Sequence, residues 1–288
     1  MAKKIAVIGA TGRLAPVVIR ELAKTHTVTA IVRNPEKAKG LLPPNVSVKI
    51  ADLQDINSLK AAIQGVDMLY LNLSAEAPGA TFQPELDGVR NVLKAAEGST
   101  VQRILKLSGL GAYRPDFAPG KTLFANEIRR QGQELIRSSG IPYTFFHATW
   151  FMESLELMLR QGDTLNGFKP LPYPFYWIAG ADYARIVARA VELDLPGNRD
   201  YIIQGPEPVL MADALKRYAR SFSPVLKVRE TPIGMLKFIG WFVPALKQVA
   251  AMGEYFQGFQ EQLAAGETWK ELGAPTQRIE EFAREIQR

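Results

Sequence analysis

A chain of 288 residues is long enough for one large domain, or for one domain with a smaller appended lobe. Its 47% apolar and 22% charged residues are an ordinary globular balance, and the absence of cysteine excludes disulfides, thiol nucleophiles and thiolate metal sites. The formal charge of 35 − 29 = +6 is spread along the chain rather than gathered in a basic run, which suits anionic small molecules and leaves no nucleic-acid footprint.

The only histidines, His26 and His147, stand in no cluster with metal-ligand spacing, so no metal is expected. Met-Ala-Lys-Lys runs straight into a strand with no apolar leader, so no signal peptide is expected and a cytoplasmic location is. The apolar segment Phe238 to Leu246 is far shorter than the roughly 20 residues a bilayer requires. It contains Gly240 and Pro244; a buried helix, a lid over a substrate, an interfacial helix and a partner contact are all open to it.

In chain order, Ile5 to Ile8 predicts a buried strand, and the 3.6-residue pattern from Gly12 to Lys24 a helix. Strands follow at Val28–Val32 and Val46–Ile50. Asp55 is placed to cap a helix over Ile56–Gln64, which Gly65 stops. Met68–Leu73 predicts a fourth strand, Pro84–Glu97 a helix, and Arg103–Leu107 a fifth strand. Leu123–Ser139 predicts a long helix stopped by Gly140, and Tyr143–Phe146 a sixth strand. This alternation predicts an α/β fold, a Rossmann-type doubly wound parallel sheet over residues 1–150. Beyond it the rhythm breaks. Gly167–Pro174 predicts a loop, Asp182–Leu193 a helix, Tyr201–Ile203 a strand, Met211–Ser221 a helix, and residues 233–288 are mostly helical. A smaller mixed, mainly helical lobe over 151–288, interleaved with the first domain, is expected to hold a small substrate or effector, with Pro172, Tyr173, Phe175, Tyr176 and Trp177 at its rim.

The turn after the first strand carries the chemistry. Gly9-Ala-Thr11-Gly12-Arg13-Leu14-Ala15 lies between a strand and a helix, where glycines let the backbone approach a pyrophosphate and the helix N-terminus supplies unpaired N–H groups. Arg33 ends the second strand, where NAD-preferring domains place an acid for the ribose 2′-hydroxyl; with Arg13 it suits a 2′-phosphate, so NADPH is expected over NADH. Asp52 and Leu53 follow the third strand, either against the adenine or as a loop aspartate capping its own turn. Asn72, Leu73 and Ser74 end the fourth strand on the ribose and nicotinamide side, and Ser108 ends the fifth.

Together, Gly9-Ala-Thr-Gly12, Val32-Arg-Asn-Pro35, Asp52-Leu53, Lys106-Leu-Ser-Gly-Leu-Gly-Ala112 and Ser139-Gly-Ile-Pro-Tyr-Thr144 resemble an atypical short-chain dehydrogenase/reductase of the NmrA-like group. Ala181-Asp-Tyr-Ala184 and Gly205-Pro-Glu207 resemble that group's later landmarks, so the likeness covers roughly residues 3–222. Against the wider superfamily there is a departure. No tyrosine is followed four residues later by lysine; counting back from Ser139-Gly140 puts Glu127 and Gln131 at the dyad positions and Leu110 at the serine position. His147-Ala148 replaces the Arg-Pro of many relatives. The remaining catalytic candidates are His147 at a strand end, and Asn126 and Gln131 on the helix facing the cofactor. Three readings stand open: an NADPH-dependent reductase of a small electrophile such as a quinone, a non-catalytic NADP(H) sensor or regulator acting on a protein partner, and a structural nucleotide-binding subunit.

Overall fold

The apolar run after Lys3 forms β1 (Lys4–Ile8), and its Ile5, Ala6 and Val7 have no solvent exposure. The structure, a computed structural model, describes residues 2–287. They divide into two units, the first built from the residues up to Ala112, Phe124–His147 and Tyr183–Tyr201.

In the first unit β1 is followed by α1 (Ala15–Leu22), β2 (Thr27–Val32), β3 (Ser47–Ile50), α2 (Ile56–Ala62) and β4 (Met68–Leu71). Then come α3 (Val89–Ala96), β5 (Arg103–Gly109), the single turn α4 (Leu110–Tyr113), α5 (Phe124–Ser138) and β6 (Tyr143–Ala148). The seven-stranded sheet has the order β3-β2-β1-β4-β5-β6-β9, where β9 is Arg199–Ile203. The parallel register sets Ile8 level with Ile31 and with Leu71, and Leu71 level with Lys106. The chain therefore leaves β1, β4 and β5 along one edge. The strand order reverses between β1 and β4, the point at which open α/β sheets leave a crevice. Under the sheet, Ile8, Leu69, Leu71, Val89, Ile104 and Phe145 close one apolar core with α2 and α3.

Two sequence expectations change here. The helix α6 (Gly180–Leu193) and β9, which the sequence reading put in the second lobe, fall largely in the first unit, where β9 adds a seventh strand. Periodicity identifies an element without saying which sheet it joins. Arg103 of β5 ties this return to the sheet, donating to the carbonyls of Leu195 (2.7 Å) and Gly197 (3.0 Å).

The second unit comprises Tyr113–Leu123, Ala148–Asp182 and the chain from Ile202 onward. It holds a small sheet of order β10-β8-β7, with β7 at Arg160–Gln161, β8 at Thr164–Lys169 and β10 at Lys227–Pro232. Around it lie α7 (Met211–Arg220), α8 (Ile233–Gly240), α9 (Pro244–Gln257), α10 (Gly266–Leu272) and α11 (Ile279–Ile286). Gly167, read as the start of a loop, lies inside β8: a Cβ there would stand 2.5 Å from Leu215 Cδ1 of α7, so the glycine admits a packing neighbour rather than a turn. Phe175 and Trp177, expected at a pocket rim, are instead buried among Trp150, Phe256 and Phe259, and the Trp177 indole donates to the Val209 carbonyl (3.2 Å). Asp182 takes N–H bonds from Thr276 and Gln277 (2.8 Å each), fastening the C-terminal segment.

Candidate functional site

The turn leaving β1 is shaped by β4. Gly9 has φ +78°, and a Cβ on it would lie 2.2 Å from the Asn72 carbonyl oxygen. The Gly12 N–H closes the turn on Gly9 O (2.9 Å), and a Cβ on Gly12 would lie 2.4 Å from Asn72 Nδ2, which itself donates to Gly9 O (3.3 Å). The helix starts at Ala15, three residues later than its sequence pattern, because residues 10–14 are spent on this turn. Its N-cap is Leu14, with no side-chain cap. The Ala15 N–H donates to Gly12 O (3.1 Å) and Pro16 carries no N–H, so the remaining N–H groups of the turn and the positive end of the helix are what this terminus offers an anion. Thr11 and Arg13 are exposed beside them.

Arg33 is exposed just past β2, and Asn34 turns the chain away by accepting the Glu36 N–H (2.9 Å). Among the described residues neither Arg13 nor Arg33 has an ion-pair partner. Asp52 Oδ1 accepts the Gln54 N–H (2.9 Å) in its own loop. Leu53 packs on Gly88, where a Cβ would stand 3.2 Å from its Cδ1, and its carbonyl accepts from Asn91 (2.8 Å). Leu73 is buried and Ser74 exposed.

At the end of β5, Ser108 is buried and its hydroxyl accepts from Gln133 Nε2 (2.7 Å). Gln133 lies on α5, whose buried face includes Ile128, Gly132 and Ile136. A Cβ on Gly132 would stand 1.9 Å from the Glu85 carbonyl oxygen, so α5 presses its backbone onto the wide π-helical turn Pro84–Gly88. That turn delivers Glu85 into the interior. Its carboxylate, with no solvent exposure, accepts from Lys106 Nζ (2.5 Å) and Arg129 Nε (3.1 Å). Burial pulls the Lys106 ammonium below its usual range, opposed by Glu85.

On α5, Glu127 binds Arg130 and Gln131 is exposed, while Gln133 turns toward β5. Arg129 Nη1 and Asn126 Oδ1 lie 3.4 and 3.5 Å from where a Gly109 Cβ would be, so these two side chains border the backbone at the end of β5. Leu110 is buried beside it. His147 has no solvent exposure and is held through Nε2 to Asp200 Oδ1 (2.7 Å), which also receives Arg137 Nη2 (3.2 Å). Burial lowers its pKa, favouring the neutral ring.

The structure therefore gathers Gly9, Gly12 and Asn72 into one cradle and keeps His147 in the interior. Glu85, Lys106 and Arg129 escaped the sequence reading. One signal was present: a lysine inside the apolar run Ile104-Leu-Lys-Leu implies a buried partner. No metal-binding cluster is found among the described residues, and no helix among them is long and apolar enough to cross a membrane.

A parallel sheet of this order, with an uncapped helix and a glycine turn at its reversal point, defines a dinucleotide-binding protein. The chain belongs to the NAD(P)H-binding family, whose profile matches residues 9–173, within the NmrA-like group of atypical short-chain dehydrogenases/reductases. It is 36% identical over 153 residues to Quinone oxidoreductase 2 of Escherichia coli K12, a match spanning 52% of this chain and 50% of that relative. It is 26% identical over 213 residues to NAD(P)H azoreductase of Xenophilus azovorans, covering 73% and 70% of the two chains. The crystal structure of the NADPH-dependent quinone oxidoreductase of E. coli complexed with NADPH superposes with a TM-score of 0.74 at 26% identity, covering 99% of this chain and 100% of that one.

Proposed function

We propose that this protein is an NADPH-dependent reductase of small electrophiles, quinones foremost. The names of its relatives support reductase chemistry, and its own residues argue for the acceptor class. The carrying observation is the pair of groups bordering Gly109 at the end of β5: an amide, Asn126, and a guanidinium, Arg129. Neither is a proton donor tuned to neutral pH. Reducing an unactivated ketone creates an alkoxide that needs such a donor, and a positioned one contributes about 10²–10⁴-fold. A quinone that accepts hydride becomes a resonance-stabilised phenolate, which a nearby cation stabilises and water protonates.

The chain's residues fit the cofactor. Gly9 and Gly12 form the turn under the pyrophosphate, the uncapped start of α1 faces it, and Arg13 and Arg33 hold the 2′-phosphate, which favours NADPH over NADH. Bound there, NADPH supplies the hydride. Asn126 orients the acceptor, and Arg129, held by Glu85, keeps a positive charge beside the oxygen that becomes negative.

The test is oxidation of NADPH followed by absorbance with quinones, azo dyes, aldehydes, ketones and alcohols. Quinone reduction without ketone reduction is the expected result. Brisk ketone reduction would overturn the acceptor assignment. Turnover of no acceptor, with NADPH binding intact, would replace this reading with that of an NADP(H) sensor.

A further inference from the structure

The hairpin of α8 and α9 presents an apolar surface that the cofactor chemistry does not use. On α8, Ile233, Leu236 and Gly240 face inward and are buried. A globular helix then normally turns a polar face outward. Here the outward positions are Met235, Phe238 and, in the turn that follows, Trp241, Phe242 and Val243, all exposed. Trp241 is 85% exposed, Phe242 74% and Phe238 65%. The helix is apolar on both sides, which marks an element with a second, non-aqueous environment.

Up to Gly253 the hairpin itself carries charges of one sign. From Thr231 to Gly253 the chain carries Lys237 and Lys247 and no aspartate or glutamate. The hairpin is closed by Gly240, where a Cβ would stand 3.0 Å from the Lys247 backbone, so exposed Lys247 lies about one turn from the aromatic tip. The carboxylates that flank this stretch are Glu230 and Glu254; Glu254 binds Lys237 (2.6 Å), next to Gly253, which packs on Ile233 at the far end of the hairpin. Aromatic side chains project beyond two lysines, of which Lys237 is paired with Glu254 and Lys247 is exposed. A protein groove would bury such a tip without needing Lys247, whereas an anionic bilayer uses both parts: the rings enter the headgroup–acyl boundary and the Lys247 ammonium meets the phosphates.

We infer that the α8–α9 tip is a membrane-surface anchor, with Trp241 and Phe242 inserting into an anionic lipid interface and Lys247 on its headgroups. The anchor is independent of whether the protein turns over any acceptor.

The experiment uses the full chain with large unilamellar vesicles of phosphatidylcholine, alone or mixed with phosphatidylglycerol. Co-sedimentation is expected with the mixed vesicles and little of it with phosphatidylcholine alone. Trp241 serves as an internal reporter, because Trp150 and Trp177 are buried and Trp269 is partly so. On binding, emission shifts to the blue and acrylamide quenching falls. The double variant W241S/F242S, which removes side chains exposed to water, keeps the fold by circular dichroism and loses at least about tenfold in partitioning. K247E weakens binding to the mixed vesicles only. Equal binding of the double variant and the parent, or no preference for anionic vesicles, overturns the inference. So does a parent that stays in the supernatant but sediments as a dimer, which W241S/F242S returns to monomer; the tip would then be covered by a second copy.

Discussion

Lys106, Glu85 and Arg129 make a sharp test of how this fold is held. Lys106 and Glu85 have no exposure and meet at 2.5 Å, while Arg129 reaches the same carboxylate at 3.1 Å and remains 26% exposed. Breaking a buried pair by removing one partner costs about 3–5 kcal/mol, because a charge is left without compensation. Lys106→Met leaves Glu85 with Arg129, so the lower end applies, about 3 kcal/mol. Glu85→Leu leaves Lys106 with only the Leu107 carbonyl at 3.2 Å, so the upper end applies, about 5 kcal/mol. Together the two substitutions replace the pair with apolar side chains, which is often close to neutral. The double variant should therefore be several kcal/mol more stable than the sum of the singles requires. A 3 kcal/mol loss lowers the melting temperature of a chain this size by about 6–12 °C. The measurement is urea unfolding of the parent, both singles and the double. Single-variant losses below about 1 kcal/mol, or strict additivity, would refute the reasoning. If a single does not fold, recovery of folding in the double carries the same information.

Arg33→Asp should weaken NADPH by about 1.5–3 kcal/mol, roughly 10–150-fold, and leave NADH no weaker; titration calorimetry with both cofactors checks this, and an equal loss for NADH would remove Arg33 from the phosphate site. Gly12→Val should abolish NADPH binding with the circular dichroism retained, since the branched side chain displaces Asn72 Nδ2 from the cradle; a folded variant that still binds NADPH would place the cofactor elsewhere. In the second unit Glu261 is buried, and burial raises its carboxyl to about 7 despite hydrogen bonds from Gln204 (2.8 Å) and Thr149 (2.7 Å). The folded state therefore holds a proton that the unfolded chain releases near 4.5, so this group's stabilisation is full below that pH and is lost as pH rises toward 7. The loss is at most about 3 kcal/mol. Glu153 is raised to about 7 by burial as well, so melting at pH 5 and pH 8 should show a fall in the parent that Glu261→Gln reduces without abolishing; identical profiles would refute the titration of Glu261.

The sequence alone determined the dinucleotide fold. Strand and helix periods, the cap at Asp55, and a glycine turn between β1 and α1 are local features written in adjacent residues, and six strands of the main sheet lie close to where their patterns place them. The turn itself was legible because the chain around Gly9 and Gly12 carries its own chemistry. What required Gly9 and Gly12 was not: the close neighbour is Asn72, about sixty residues away, and only the register of β1 with β4 brings it there. Tertiary structure also assigned α6 and β9 mainly to the first unit and put a strand through Gly167, since neither the choice of sheet nor a neighbour such as Leu215 is visible in local pattern. It decided the face of α5 as well. The contact of Gly132 with Glu85 O sets the helix roll and brings Arg129 and Gln133, which the spacing did not single out, to β5. His147, a free-looking strand-end histidine in the sequence, is sealed against Asp200 of β9, a partner more than fifty residues later. Local propensity and period are properties of a few neighbouring residues; burial, helix rotation and the pairing of charges depend on distant segments, and only packing brings those together.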